Sequence, residues 1–223
     1  MATTPLGQTS TDQLIHDATE FMWRHGTPIE ATKRARGPIA VSGEGAYVTD
    51  MDGVTYLDGL GGGSAAATIG YGRADVADAV AKQMKKLHYA SVRTFLNEPA
   101  IELARRIAEV APGDLKTSFF TSSGSEAVET AAQIIKAYHK QKGHPEKTKV
   151  LYRNTGFHGV SLIAASASTS PDYRDWFEPL VPGFVEVPTA YSYRRPEGMS
   201  EQEYAEAQAQ AIEDEILRQG PDT

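Results

Sequence analysis

Apolar residues recur at spacings of three and four in several stretches of the chain. In residues 74–87, Val76, Val80, Met84 and Leu87 fall on one side of a helix. Ile101, Leu103, Ala104, Ile107 and Val110 repeat the pattern in residues 98–110, and Ala127, Ala131, Ile134, Ile135 and Tyr138 do so in 126–141. These predict three amphipathic helices. A further helix is predicted over residues 12–22, with Thr11 as its cap, and a last one over 200–217, polar and rich in Glu and Gln. Short apolar runs at 118–121, 150–152 and 184–187 read as strands between helices. Earlier, residues 39–58 read as β structure. Two strand-like runs there flank Asp50-Met51-Asp52-Gly53, whose glycine suits a hairpin turn that needs positive φ.

Strands alternating with helices predict an α/β fold with a parallel sheet. The stretch from Leu57 to Gly72 is rich in Gly and Ala, which excludes a regular core helix and predicts backbone passing close to something else. About three parallel strands are expected after residue 110, fewer than such sheets usually need, and the final helix has no strand after it. The pattern therefore leads us to expect the first part of a longer, truncated fold. There is no internal repeat and no low-complexity tract.

Composition narrows the classes. The 223 residues are 40% hydrophobic and 23% charged, the balance of a soluble globular protein. A net charge of -7 argues against a nucleic-acid footprint. No apolar run is long enough to span a bilayer, and the polar first five residues lack the pattern of a signal peptide. The absence of cysteine removes disulfides, thiolate metal sites and cysteine nucleophiles, and fits a cytoplasmic location. No metal site and no membrane partner are expected.

Chemistry concentrates in Thr121-Ser122-Ser123-Gly124-Ser125-Glu126, where a predicted strand becomes a helix. A helix N-terminus presents unsatisfied N–H groups and partial positive charge. Gly124 permits close approach of an anion, and Ser123 and Ser125 add hydroxyls, so a phosphate monoester is a natural occupant. The same residues form a capping box in which Ser123 caps the Glu126 N–H and Glu126 reaches back. The two readings are compatible. No G-x-x-x-x-G-K-[ST] is present, and the Gly59-x-Gly61 pair has Ser64 where a dinucleotide fingerprint needs its third glycine.

A second constellation, Phe157-His158-Gly159, follows the predicted strand at 150–152. An aromatic at the carboxyl end of a parallel strand, beside a phosphate site, can stack on a flat ring held by that phosphate. The alternative is that Phe157 covers the sheet edge and His158 is structural.

Together these residues resemble a known family. Ser123-Gly124-Ser125-Glu126-Ala127, followed by Glu129-Thr130-Ala131-Ala132 and Lys136, is similar to the phosphate-cup segment of class III pyridoxal-phosphate-dependent aminotransferases. Phe157-His158-Gly159 resembles their aromatic-His-Gly segment. Asp52-Gly53-x-x-Tyr56-Leu57-Asp58-Gly59 resembles their N-terminal hairpin, and Gly70-Tyr71-Gly72 the turn after it. Leu103-Ala104-x-x-Ile107-Ala108-x-x-Ala111-Pro112 is similar to the helix before the cup.

The resemblance implies the fold type I architecture of these transferases: a parallel-rich sheet with helices on both faces, preceded by an α+β segment. Residues 1–60 would serve the small domain, and 61–223 would be the first part of the large cofactor-binding domain. It implies pyridoxal 5′-phosphate as cofactor, held through Ser123, Gly124 and Ser125, with Phe157 over the ring and His158 beside it. Ser64 would line the substrate pocket, where relatives often carry a larger residue. An amine or ω-amino acid donor, an oxoacid acceptor such as pyruvate or 2-oxoglutarate, and a homodimer are also implied. The lysine that tethers the cofactor and the acid that pairs with its ring nitrogen have no match among these residues. Related decarboxylase, aminomutase and racemase reactions, or an inactive binding module, remain alternatives.

Overall fold

A computed structural model describes residues 9–24, 27–34, 37–91, 93–169 and 177–223; the side chain of Ser64 lies outside that description. The chain forms two compact units, residues 1–101 and 102–223.

The first unit opens with α1 (Thr11–Phe21) and α2 (Ile29–Arg34). The cap of α1 is Ser10 rather than Thr11: its hydroxyl accepts the Gln13 N–H at 3.2 Å. Three antiparallel strands follow, β1 (Ala40–Glu44), β2 (Tyr47–Asp50) and β3 (Thr55–Leu57), in sheet order β1-β2-β3. The predicted hairpin joins β2 to β3, and Gly53 takes φ +81° at its turn. Asp50, only 5% exposed, organises this turn. Its carboxylate accepts the amides of Asp52 and Val54 and the Tyr56 hydroxyl, at 2.8–3.0 Å.

The Gly-rich stretch is not featureless. Residues Gly61–Ala65 make one π-helical turn. Asp58 holds it, accepting the amides of Leu60 and Gly62 and the Tyr71 hydroxyl. Tyr71 pairs by backbone with Gly45, and its side chain lies so close to Gly43 that a Cβ there would sit 2.8 Å from it. Then come α3 (Ala74–Lys86) and α4 (Glu98–Val110), the latter running across the boundary between the units.

In the second unit, α5 (Gly124–Gln141) precedes β4 (Val150–Arg153), α6 (Leu162–Ser166), β5 (Phe184–Val187) and α7 (Glu201–Gln219). Strands β4 and β5 pair in parallel, with Val150 opposite Phe184 and Arg153 opposite Val187. The expected strand at 118–121 does not form. A strand exists only when a neighbour pairs with it, and none of the described residues does so there. Ser200 caps α7 through a reciprocal capping box with Glu203 instead of forming part of the helix. At the other end of α7, Lys149 donates to the Gln219 carbonyl at 2.6 Å.

The core gathers around β4, α6 and β5: Ala132, Tyr152, Ala164, Ala165, Ala167 and Val187 are buried, together with Ser166 and Ser168. The predicted apolar stripes of α3, α4 and α5 are helical as expected, but their larger residues, including Met84, Leu103 and Ile134, remain exposed. Among the described residues, no helix is long and apolar enough to cross a membrane, and no cluster of His, Asp or Glu could hold a metal ion.

The hairpin makes a pH prediction. Burial alone would raise the Asp50 pKa, but the Tyr56 hydroxyl and the turn amides outweigh it and hold the pKa below the ordinary carboxylate value of 3.8. A group whose folded pKa is depressed stabilises fully above its unfolded value and loses that contribution as pH falls through the folded one. The Asp52 and Val54 amides should therefore stay protected from hydrogen exchange down to about pH 4 and lose protection below it. Asp50→Asn, which cannot be discharged by acid, should abolish that pH dependence.

Candidate active site

Ser123 has extended backbone and ends the approach to α5; its hydroxyl accepts the Glu126 N–H at 3.2 Å. Glu126 does reach back, but to the Ser122 N–H at 2.7 Å rather than to Ser123, so the box is displaced by one residue. The helix starts at Gly124, two residues before the predicted boundary. This arrangement consumes the amides of Ser122 and Glu126 and leaves those of Gly124 and Ser125 without a partner among the described residues. A Cβ built on Gly124 meets nothing within 4 Å. Two free amides at a positive helix terminus, under open space, match the donor set a phosphate needs. A phosphate-bearing cofactor therefore fits these residues.

The second constellation lies at the carboxyl end of β4. Asn154 continues the ladder by donating its N–H to the Val187 carbonyl, and its side chain accepts the Thr189 N–H at 3.0 Å. Thr155 then takes φ +62°, an uncommon conformation for a β-branched residue, and turns the chain out of the sheet. Gly156 allows the His158 ring to fold back over it: an added Cβ would lie 3.0 Å from His158 Nε2. Phe157 is 67% exposed, so it does not cover the sheet edge.

The structure joins the two constellations. Ser125 Oγ accepts the Val160 N–H at 3.1 Å. Gly159, with φ +134°, makes this approach possible: a Cβ there would lie 2.4 Å from Ser125 Oγ and 2.9 Å from Ala164 Cβ. The phosphate side and the aromatic side thus meet through one hydroxyl and one glycine. Ser64, the remaining candidate, has its backbone in the π-helical turn of the first unit.

Comparison with known proteins is decisive at this point, because residues 31–220 match the profile of the family described as aminotransferase class-III. The chain belongs to that family. Class III aminotransferases depend on pyridoxal phosphate. The chain is 40% identical over 214 residues to a Mycobacterium tuberculosis protein named "probable aminotransferase", a match covering 94% of this chain and 44% of that protein. It is 34% identical over 203 residues to the taurine–pyruvate aminotransferase of Bilophila wadsworthia, covering 91% and 43%.

Among solved structures, an (S)-enantioselective omega-transaminase from Thermomicrobium roseum superposes with TM-score 0.90 at 35% identity, over 96% of this chain and 48% of that one. An omega transaminase from Pseudomonas jessenii in complex with PMP gives 0.89 at 30%, over 94% and 47%. This class III chain thus spans less than half the length of these relatives.

Two residues support the site in roles that residue type and spacing do not reveal. Ser168 accepts the His158 N–H, and Glu129 accepts the Ile163 N–H. A trace of the first was available, since a serine inside the Ala-rich run 164–168 must find partners if it is buried.

Gly159→Ala should unfold more readily than the parent chain, losing roughly 1–3 kcal/mol to overpacking and strained φ. Gly124→Ala should unfold within about 1 kcal/mol of it. Urea denaturation of both variants checks the contrast, and equal losses would show that Gly159 is not a close contact.

Proposed function

We propose that this chain holds the phosphate and ring face of pyridoxal phosphate in an aminotransferase that moves an amino group from an amine or ω-amino acid to an oxoacid. The observation that carries the reading is the pair of free amides at Gly124 and Ser125, joined by the Ser125 hydroxyl to the loop bearing Phe157. The amides, with the hydroxyl of Ser125, would bind the phosphate dianion. Phe157 would lie over the ring and shield that face from water, and His158 would flank it. When bound, the cofactor supplies the electron sink for the chemistry at the amino carbon.

The acceptor class is proposed as pyruvate or 2-oxoglutarate, in keeping with relatives named for each: the taurine–pyruvate enzyme and the diaminobutyrate–2-oxoglutarate transaminase of Halomonas elongata. Ser64 is proposed to line the substrate pocket, where its small side chain would leave room for a bulky amine. A cytoplasmic homodimer is proposed on the same resemblance, with residues 1–60 serving the small domain and 61–223 the cofactor-binding domain.

No lysine of this chain is assigned the tethering role. Lys149 is committed to the Gln219 carbonyl, and Lys136 lies 6.0 Å from the centre of the Phe184 ring. Borohydride reduction in the presence of pyridoxal phosphate, followed by mass measurement and peptide mapping, tests the reading. A single adduct on one lysine, together with amine-to-oxoacid transfer, supports it. Binding without a unique adduct or turnover counts against it.

Phe157→Ala should weaken cofactor binding by roughly 1 kcal/mol, about fivefold, from lost stacking. Its unfolding midpoint should not move, because the ring is largely exposed. Ser64→Trp should narrow the range of amines accepted, read as lower turnover of bulky donors with small ones retained.

A further inference from the structure

Phe157 is exposed, yet the backbone around it is held by side chains that the proposed chemistry does not use. Ser168, 1% exposed, accepts the His158 N–H at 3.0 Å and donates to the Ala164 carbonyl at 2.9 Å. It thereby ties the loop to the far end of α6. At the near end, Ile163 belongs to the first turn of α6, whose amides ordinarily go to the helix's own cap. The cap residue, Ser161, makes no such bond, and its hydroxyl is buried without a partner among the described residues. The Ile163 N–H goes instead to Glu129 Oε1, on α5, at 3.4 Å. Helix α6 is therefore capped in trans by the helix whose N-terminus forms the proposed phosphate site.

We propose that Ser168 and Glu129 are positioning residues for Phe157: by holding the amides of His158 and Ile163 they set the aromatic face against the N-terminus of α5. The inference rests on the cofactor reading above. Both residues act through the loop and not on the cofactor itself. Removing the Ser168 hydroxyl takes away the acceptor of the His158 N–H, so the loop is no longer held at that amide. Removing the Glu129 carboxylate frees the first turn of α6 from α5. In either case the ring face shifts, while the amides of Gly124 and Ser125 keep the geometry that α5 itself gives them.

The test uses the full 223-residue chain and two probes. Pyridoxine 5′-phosphate carries ring and phosphate but no aldehyde to react with surface lysines, and inorganic phosphate carries the anion alone. Calorimetry and phosphorus NMR titration give the two affinities. Ser168→Ala and Glu129→Ala should each weaken pyridoxine phosphate by about tenfold and change inorganic phosphate by less than about twofold. Glu129→Gln, which keeps an acceptor oxygen, should return pyridoxine phosphate to within about twofold of the parent. Hydrogen exchange at the His158 and Ile163 amides should quicken in the corresponding alanine variants.

Equal losses for both probes, no loss for either, or failure of Gln to rescue would overturn the proposal. If Ser168→Ala does not fold, the Glu129 pair decides alone, since that side chain is only partly buried. A parent chain that binds pyridoxine phosphate no more tightly than inorganic phosphate would instead overturn the cofactor reading, and this inference with it.

Discussion

The hydrogen bond from the Val160 amide to the Ser125 hydroxyl is the joint of the candidate site. It joins α5 to the loop that follows β4, and it is possible because position 159 has no side chain. One atom of extra bulk there would collide with both Ser125 and Ala164. The constraint runs in both directions. Ser125 must be a small residue with an acceptor, and position 159 must tolerate positive φ. Such a joint transmits displacement: wherever the N-terminus of α5 goes, the loop carrying Phe157 follows. That is the property a site needs when one end of a rigid ligand is held electrostatically and the other by stacking.

The same device organises the first unit, with carboxylates in place of a hydroxyl. Asp50 gathers two amides and a tyrosine at the β2–β3 turn, and Asp58 does the same for the π-helical turn. In each case an acidic side chain satisfies backbone donors that a tight or irregular turn would leave unpaired. The Tyr71 hydroxyl leads the interactions that hold Asp58 below the ordinary carboxylate range. The Gly-rich stretch is thus fixed by polar contacts at its base rather than by packing of its own side chains, which are too small to provide it.

Local signals in the sequence were legible. The five longer helices, the hairpin with Gly53 at its turn, the parallel pair β4–β5 and the Ser-Gly turn could all be read from spacing and residue type. Family membership followed from motifs in register. What could not be read depends on neighbours. Phe119 and Phe120 have strand propensity, but no described strand lies beside them. The stripes of α3, α4 and α5 predict amphipathic helices, but a stripe does not supply the element that covers it. Glu126 was placed correctly as a capping acid, yet which amide it reaches is a matter of one residue in the path of the chain. The roles of Ser168 and Glu129 were invisible because they serve amides 10 and 34 residues away.

These separations affect how the site assembles. Ser125 meets Val160 across 35 residues, and β4 finds β5 across a similar span. Closing a flexible loop of that length costs roughly 3 kcal/mol of chain entropy, and the cost grows only slowly with length. Each further contact in the same region then comes at little additional entropic cost, because the ends are already together. The region around α5, β4 and α6 is therefore built on contacts of long sequence separation and a parallel strand pair, the topology associated with slower folding. The joint between Ser125 and Val160 is one of the contacts that offset this closure cost, so a substitution that loosens it would weaken the closed loop as well as reshape its surface.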